Sequence, residues 1–138
     1  MATINPKYSI GIEEMDAQHV RWIQLIDAFR FSGTNPLQGD AGISATRRAL
    51  EKLQDYTKRH FASEEQFIAA HNFPDLEAHK AQHRRLEARV VELLHEISAP
   101  KAATAPLKLE LFATDWLLEH IMQEDARYAR FILGKPTS

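Results

Sequence analysis

Leu76, His79, His83, Leu86, Val90, Leu93 and Ile97 follow one another at steps of three and four, the spacing at which side chains return to one face of an α-helix. Three other stretches repeat the pattern, and no strand-like alternation competes with it. Met15, His19, Trp22, Ile26 and Phe29 share a seam between about Ile12 and Phe31. Leu50, Leu53, Thr57, His60, Glu64 and Phe67 share another between about Ser44 and Ala70. In the last stretch, Pro106 to about Ile132, the stripe drifts from Leu109, Ala113, Trp116 and His120 to Leu117, Ile121, Asp125 and Tyr128. Punctuation falls between the stretches. Ser32-Gly33-Thr34-Asn35-Pro36 is expected to close the first, and a loop through Gly39 and Gly42 to lead to Ser44 as an N-cap. Asn72 suits the left-handed position after a helix, Pro74 blocks continuation, and Asp75 can cap the third helix. Pro100-Lys101-Ala102 reads as a linker, Pro106 fits a first helical turn, and Gly134 with Pro136 ends the fourth helix. Short connections between long helices favour antiparallel neighbours, so the expected fold is all-α: an antiparallel up-down-up-down four-helix bundle. A chain of 138 residues suits a single domain spanning 1–138.

Charge and cysteine content remove several function classes. With 17 basic and 19 acidic residues and a net charge of −2, the chain has no basic block of the kind that grips nucleic acid. Arg47-Arg48 and Arg84-Arg85 read as solvated helix faces. There are no cysteines, which excludes disulfides, thiolate-held zinc and iron–sulfur clusters. Met1–Ser9 lacks an apolar segment of signal-peptide length, and no run approaches the ~18 apolar residues of a membrane span. A cytoplasmic protein without membrane contact is expected.

The apolar stripes carry residues that do not belong in a plain core. His19, His60, Glu64, His79, His83, His120 and Asp125 all fall on them. One buried histidine is commonly a hydrogen-bonded core residue, but seven ligand-type side chains converging from four helices are hard to explain as packing. Residues four apart on a helix lie ~40° apart around its axis and ~6 Å along it, so His60 with Glu64, and His79 with His83, can reach one site. His120 and Asp125 are five apart, ~140° around the axis, and spacing alone does not pair them. Cations in an apolar core need anionic ligands to offset their charge, which Glu64 and Asp125 can supply while bridging two ions. Imidazole with carboxylate suits iron and leaves zinc as a competitor. The His-Glu-x-x-His signature of zinc proteases is absent. Glu92-Leu93-Leu94-His95 spells one copy of a Glu-x-x-His motif that ferritin-like sites need twice. Glu65 faces ~100° from Glu64 and reads as solvated. His71 and His95 read as structural or exposed, and Trp22, Phe67 and Tyr128 as core.

Four segments together resemble the hemerythrins, particularly their bacterial members: Gly11-Ile12 through Met15-Asp16-Ala17-Gln18-His19; His60-Phe61-Ala62-Ser63-Glu64-Glu65; Phe73-Pro74-Asp75-Leu76-Glu77-Ala78-His79-Lys80-Ala81-Gln82-His83; and Asp115-Trp116-Leu117-Leu118-Glu119-His120-Ile121 with Asp125. Tyr8 stands where many bacterial members carry tryptophan, and 32–43 has no distinctive counterpart. The resemblance implies a four-helix bundle with a non-haem di-iron site in its core. It implies that His79, His83 and His120 hold one iron and His19 and His60 the other. Glu64 and Asp125, with an oxo or hydroxo group, would bridge the two ions. Dioxygen is then the expected ligand, bound reversibly at the iron with two histidines, with Trp116 and Leu117 walling an oxygen pocket. The expected role is storage, delivery or buffering of oxygen rather than catalysis. Its rivals are a redox enzyme of the same fold acting on peroxide or nitric oxide, and an oxygen sensor working through a separate partner.

Overall fold

The computed structural model describes residues 5–34, 39–97 and 117–134, the side chains of 30–34, 39–43, 96 and 97 excepted. A short 3₁₀ turn at Pro6–Tyr8 precedes three long helices, α1 (Glu13–Thr34), α2 (Gly39–Ala70) and α3 (Leu76–Ile97). The fourth helical segment is helical from 117, widens into a π-helical turn at His120–Asp125, and continues as α4 (Ala126–Leu133). There is no strand among the described residues.

The entry to α1 is tied down by Asp16. Its carboxylate accepts from the Ile10 backbone N–H at 2.8 Å and from Ser9 Oγ–H at 2.7 Å, and Glu13, Glu14 and Asp16 place negative charge at the positive end of the helix. The tight turn between α2 and α3 follows the expected chemistry. Asn72 takes a left-handed φ of 57°, the Phe73 N–H reaches back to the Ile68 carbonyl at 3.4 Å, and the Asp75 carbonyl accepts from His79 N–H at 3.0 Å. The Asp75 carboxylate pairs with Arg127 of α4 at 2.9 Å. Gly134 adopts φ 69° at the end of α4 and bonds back to the Arg130 and Phe131 carbonyls, the left-handed stop that its lack of a Cβ permits.

Side-chain pairs give the helix directions. Gln18 meets Ser63 and Trp22 meets Thr57, so α1 and α2 run oppositely. Phe61 meets His83 and Glu64 meets His79, reversing direction again at α3. His83 meets His120 while Asp75 meets Arg127, which turns the last helix against α3. The Trp22–His120 and His19–Asp125 contacts close that helix onto α1. Every neighbour is antiparallel, as expected of an up-down-up-down bundle.

Two boundaries differ from the sequence reading. α1 runs three residues past Phe31, and α2 begins at Gly39 rather than Ser44. Glycine costs only about 1 kcal/mol in a helix interior, which weakens a helix without forbidding it. The expected terminator at Asn35-Pro36, the linker at Pro100 to Ala102, and the first half of the fourth helix, including Trp116, lie outside the described residues.

The core is a column of large apolar side chains: Met15, Trp22, Ile26, Phe29, Leu50, Leu53, Phe61, Ile68, Leu93, Leu117, Ile121 and Tyr128 are all buried. Each contributes roughly 1.5–3 kcal/mol by leaving water. Trp22 satisfies its indole by donating to Thr57 Oγ1 at 3.0 Å, and Thr57 donates in turn to the Leu53 carbonyl at 2.6 Å. Among the described residues, buried carboxylates and imidazoles interrupt this column in one place, and together. Among the described residues no helix is long and apolar enough to cross a membrane.

Candidate metal centre

All seven side chains singled out by the sequence meet in the middle of the bundle. His19, Glu64, His83 and Asp125 have no exposed surface, His60 has 1%, and His79 and His120 have 3% each. Their donor atoms form two groups that could each hold a metal ion: Glu64, His79, His83, His120 and Asp125, and His19, His60, Glu64 and Asp125. Within each group the atoms lie within 4.8 Å of one another.

The two carboxylates belong to both groups, and they divide their oxygens between them. Glu64 Oε1 lies 2.9 Å from His79 Nε2, 2.9 Å from His83 Nε2 and 3.9 Å from His120 Nε2. Its other oxygen, Oε2, faces His60 at 3.4 Å and His19 at 3.5 Å. Asp125 Oδ1 faces His120 at 3.0 Å and His79 at 3.2 Å, while Oδ2 faces His19 at 3.0 Å.

His120 and Asp125 reach the same point through the π-helical turn. In a regular α-helix they would diverge by ~140°; the wider winding of six residues, His120–Asp125, returns them to one face. Such single wide turns recur at functional sites. The drift of the apolar stripe was the sequence trace of this turn, though the spacing alone could not reveal it.

The donor chemistry fits cations. His19 Nε2, His60 Nε2 and both Asp125 oxygens are buried without a hydrogen-bond partner, although His19 and Asp125 stand 3.0 Å apart and His60 lies 3.4 Å from Glu64. Groups that close and that misaligned for hydrogen bonding are groups aimed at a shared third body. His83 Nε2 and His120 Nε2 stand 3.1 Å apart, so at most one carries a proton on that line. Neighbouring donors held about 2.0–2.1 Å from one ion, at right angles, would stand about 3 Å apart.

Protons stand in for that charge when no cation is present. Burial lowers the affinity of His19, His79 and His120 for a proton, but Asp125 and Glu64 more than reverse this, raising His19 and His79 to about 9 and His120 to about 10. Burial dominates at His60, only partly offset by Glu64, and lowers it to about 4. Burial would raise both carboxyls, yet the imidazoles around them hold Glu64 and Asp125 well below the usual carboxylate range.

A raised histidine stabilises the folded state fully below its unfolded value of 6.5, and that contribution disappears as pH rises through the folded value. Three rings follow this sign. His60 opposes it by resisting protonation below 6.5. The thermal midpoint of the metal-free protein is therefore expected to fall between pH 6.5 and 10, and calorimetry across that range checks it. Metal loading at pH 7 is accordingly expected to release protons from this cluster.

Two neighbours of the cluster have more specific positions than their sequence reading gave. Tyr128, read as core, is buried and donates its phenol O–H to Glu64 Oε2 at 3.0 Å; burial and the two carboxylates push its own ionisation up, so it stays a donor. Glu65, read as solvated, is correctly not among the inward donors, but it accepts from His83 Nδ1–H at 2.8 Å. Its ~100° offset from Glu64 turns it toward α3 rather than toward water. Gln18 plays the matching part on the other side, its Oε1 accepting from His60 Nδ1–H at 2.7 Å. His71 is exposed and donates to the Phe67 carbonyl at the end of α2, a capping role, and His95 is exposed. Leu117 is completely buried.

Antiparallel helices that bury five imidazoles around two shared carboxylates define a cation-binding helical bundle. The hemerythrin HHE cation binding domain matches residues 10–132, and the chain belongs to the hemerythrin family. It is 30% identical over 121 residues to a bacteriohemerythrin of Stenotrophomonas maltophilia, covering 88% of this chain and 74% of the relative. A bacteriohemerythrin of Methylococcus capsulatus is 27% identical, with 88% of each chain covered. A hemerythrin-like protein of Naegleria gruberi is 28% identical, over 88% of this chain and 85% of the relative.

Proposed function

We propose that this chain, as one domain, holds two iron ions and binds dioxygen reversibly, as a store, carrier or buffer of the gas rather than as an enzyme. His79, His83 and His120 would hold one iron, His19 and His60 the other, with Glu64 and Asp125 spanning the pair. A ferrous pair supplies what the polypeptide lacks, electrons and an open coordination position.

The observation that carries this reading is the division of the carboxylate oxygens, one of each pair toward the three-histidine group and one toward the two-histidine group. A single-ion site gives no reason for both carboxylates to split in the same sense. The unequal count of nitrogens leaves the His19–His60 side with fewer protein donors, hence with room for a small ligand.

The remaining residues keep that space dry and the rings oriented. Trp22 packs against His60 with ring centres 5.2 Å apart, Phe61 stacks on His83 at 3.7 Å, and Tyr128 holds one Glu64 oxygen. Apolar walls limit water and protons, which promote irreversible oxidation of a ferrous centre. Leu117→Ala is expected to retain both irons but shorten the life of the oxygenated protein severalfold. An unaltered autoxidation rate would remove Leu117 from the pocket. Trp116, the other wall suggested by the family resemblance, lies outside the described residues.

The deciding experiment is anaerobic loading with ferrous iron, metal analysis, and admission of oxygen. A visible charge-transfer band that vanishes on deoxygenation supports the carrier. Rapid one-way oxidation, or turnover of peroxide or nitric oxide, would replace it with the redox enzyme.

A further inference from the structure

Two imidazoles of the centre have their outward nitrogens held by side chains of different charge. His60 Nδ1–H donates to the neutral amide of Gln18, which is fixed by donating through Nε2 to Ser63 Oγ at 3.0 Å and by accepting at its backbone carbonyl from Tyr56 O–H at 3.1 Å. His83 Nδ1–H donates instead to a carboxylate oxygen, Glu65 Oε2, at 2.8 Å. That same oxygen accepts from Arg84 Nη2 at 2.6 Å, and Arg84 Nε pairs with Glu87 at 3.1 Å. The network runs outward from the fully buried His83 side chain through that of Glu65, 14% exposed, to that of Arg84, 57% exposed. Phe61 stacks on His83 with ring planes 2° apart, which fixes the plane of the imidazole, and the two carboxylates set its direction: Nδ1 toward Glu65 and Nε2 toward Glu64.

We propose that Glu65 is a positioning residue that strengthens His83 as an electron donor and so biases the iron held by His79, His83 and His120 toward its oxidised state, with Arg84 setting the size of the bias. This rests on the iron-pair reading above. A carboxylate at Nδ1–H fixes the tautomer and draws the proton outward, leaving more electron density at Nε2 than an amide oxygen can. A more strongly donating ligand favours the higher-valent metal, and hydrogen bonds of this kind are among the levers that set reduction potentials. Arg84 shares the Glu65 oxygen and draws charge back from it. The two sides of the centre are thus made electronically unequal by the charge of one outer residue, beyond the difference in histidine count.

The test uses the full chain loaded anaerobically with ferrous iron, its iron content measured first, followed by a spectroelectrochemical titration in which the electron lost by iron passes to the electrode. Glu65→Gln keeps an acceptor oxygen and removes the charge. It is expected to disfavour the first oxidation about tenfold, a rise of about 59 mV for a one-electron couple. Arg84→Gln, at an exposed position, is expected to shift the potential the opposite way by a smaller amount, and the double variant to resemble Glu65→Gln. Opposite signs are what a loss of packing would not produce. Equal potentials in wild type and a Glu65→Gln protein that keeps two irons would overturn this proposal alone, and so would same-sign shifts in the two single variants. Fewer than two irons per wild-type chain would overturn it together with the iron-pair reading.

Discussion

Glu64→Gln is expected to reduce the iron content of the loaded protein from two per chain to one or fewer. Glu64 faces all five imidazoles, with Oε1 directed to three and Oε2 to two. Glutamine offers a single neutral oxygen and turns an N–H₂ group toward donors that need an acceptor or a cation. The same change should destabilise the metal-free protein by about 3 kcal/mol near pH 6, where the raised imidazoles are charged and would lose a buried counter-ion. The penalty should shrink above pH 10, where those rings are neutral in either protein. Metal analysis with denaturant titrations at the two pH values checks both parts. A variant that still carries two irons would end the bridging assignment.

His79→Ala should have the next largest effect. Its Nε2 touches both carboxylates, Glu64 at 2.9 Å and Asp125 at 3.2 Å, so its loss opens the three-histidine group and removes a neighbour of one oxygen of each carboxylate. Iron content is expected to fall to about one per chain. Stability should fall with it, because cations that bind the folded state alone stabilise it by mass action, on the order of 4 kcal/mol at a thousandfold excess over the dissociation constant. The comparison of loaded and metal-free proteins isolates that share. Unchanged stoichiometry would refute the ligand role of His79.

What the sequence disclosed follows from which interactions are local. The α3 helix from Leu76 to Ile97, the left-handed Asn72 and the terminal Gly134 depend on neighbours within a few residues, and each appears as expected. The inward placement of His60 with Glu64, and of His79 with His83, needed only helical spacing. The loop expected at 32–43 gave way largely to helix, since glycine weakens a helix without forbidding it. Glu65 was legible as lying off the inward line, but not as a partner of His83, because that contact depends on how α2 and α3 lie side by side. The pairing of His120 with Asp125 was hidden for a different reason. It depends on a departure from regular winding that no periodicity of 3.6 can express.

That departure also bears on the order in which the molecule comes together. Few sequences hold six residues in so broad a coil by preference, and reverting to ordinary pitch would carry Asp125 out of reach of His19 and His79. Ions held between the four helices would tether the segment and remove that alternative, so amide hydrogens across 120–126 are expected to exchange more slowly in loaded protein than in metal-free protein. On that reading the final helix would act as a clasp fastened by its own cargo, slackening across this turn when the ions leave.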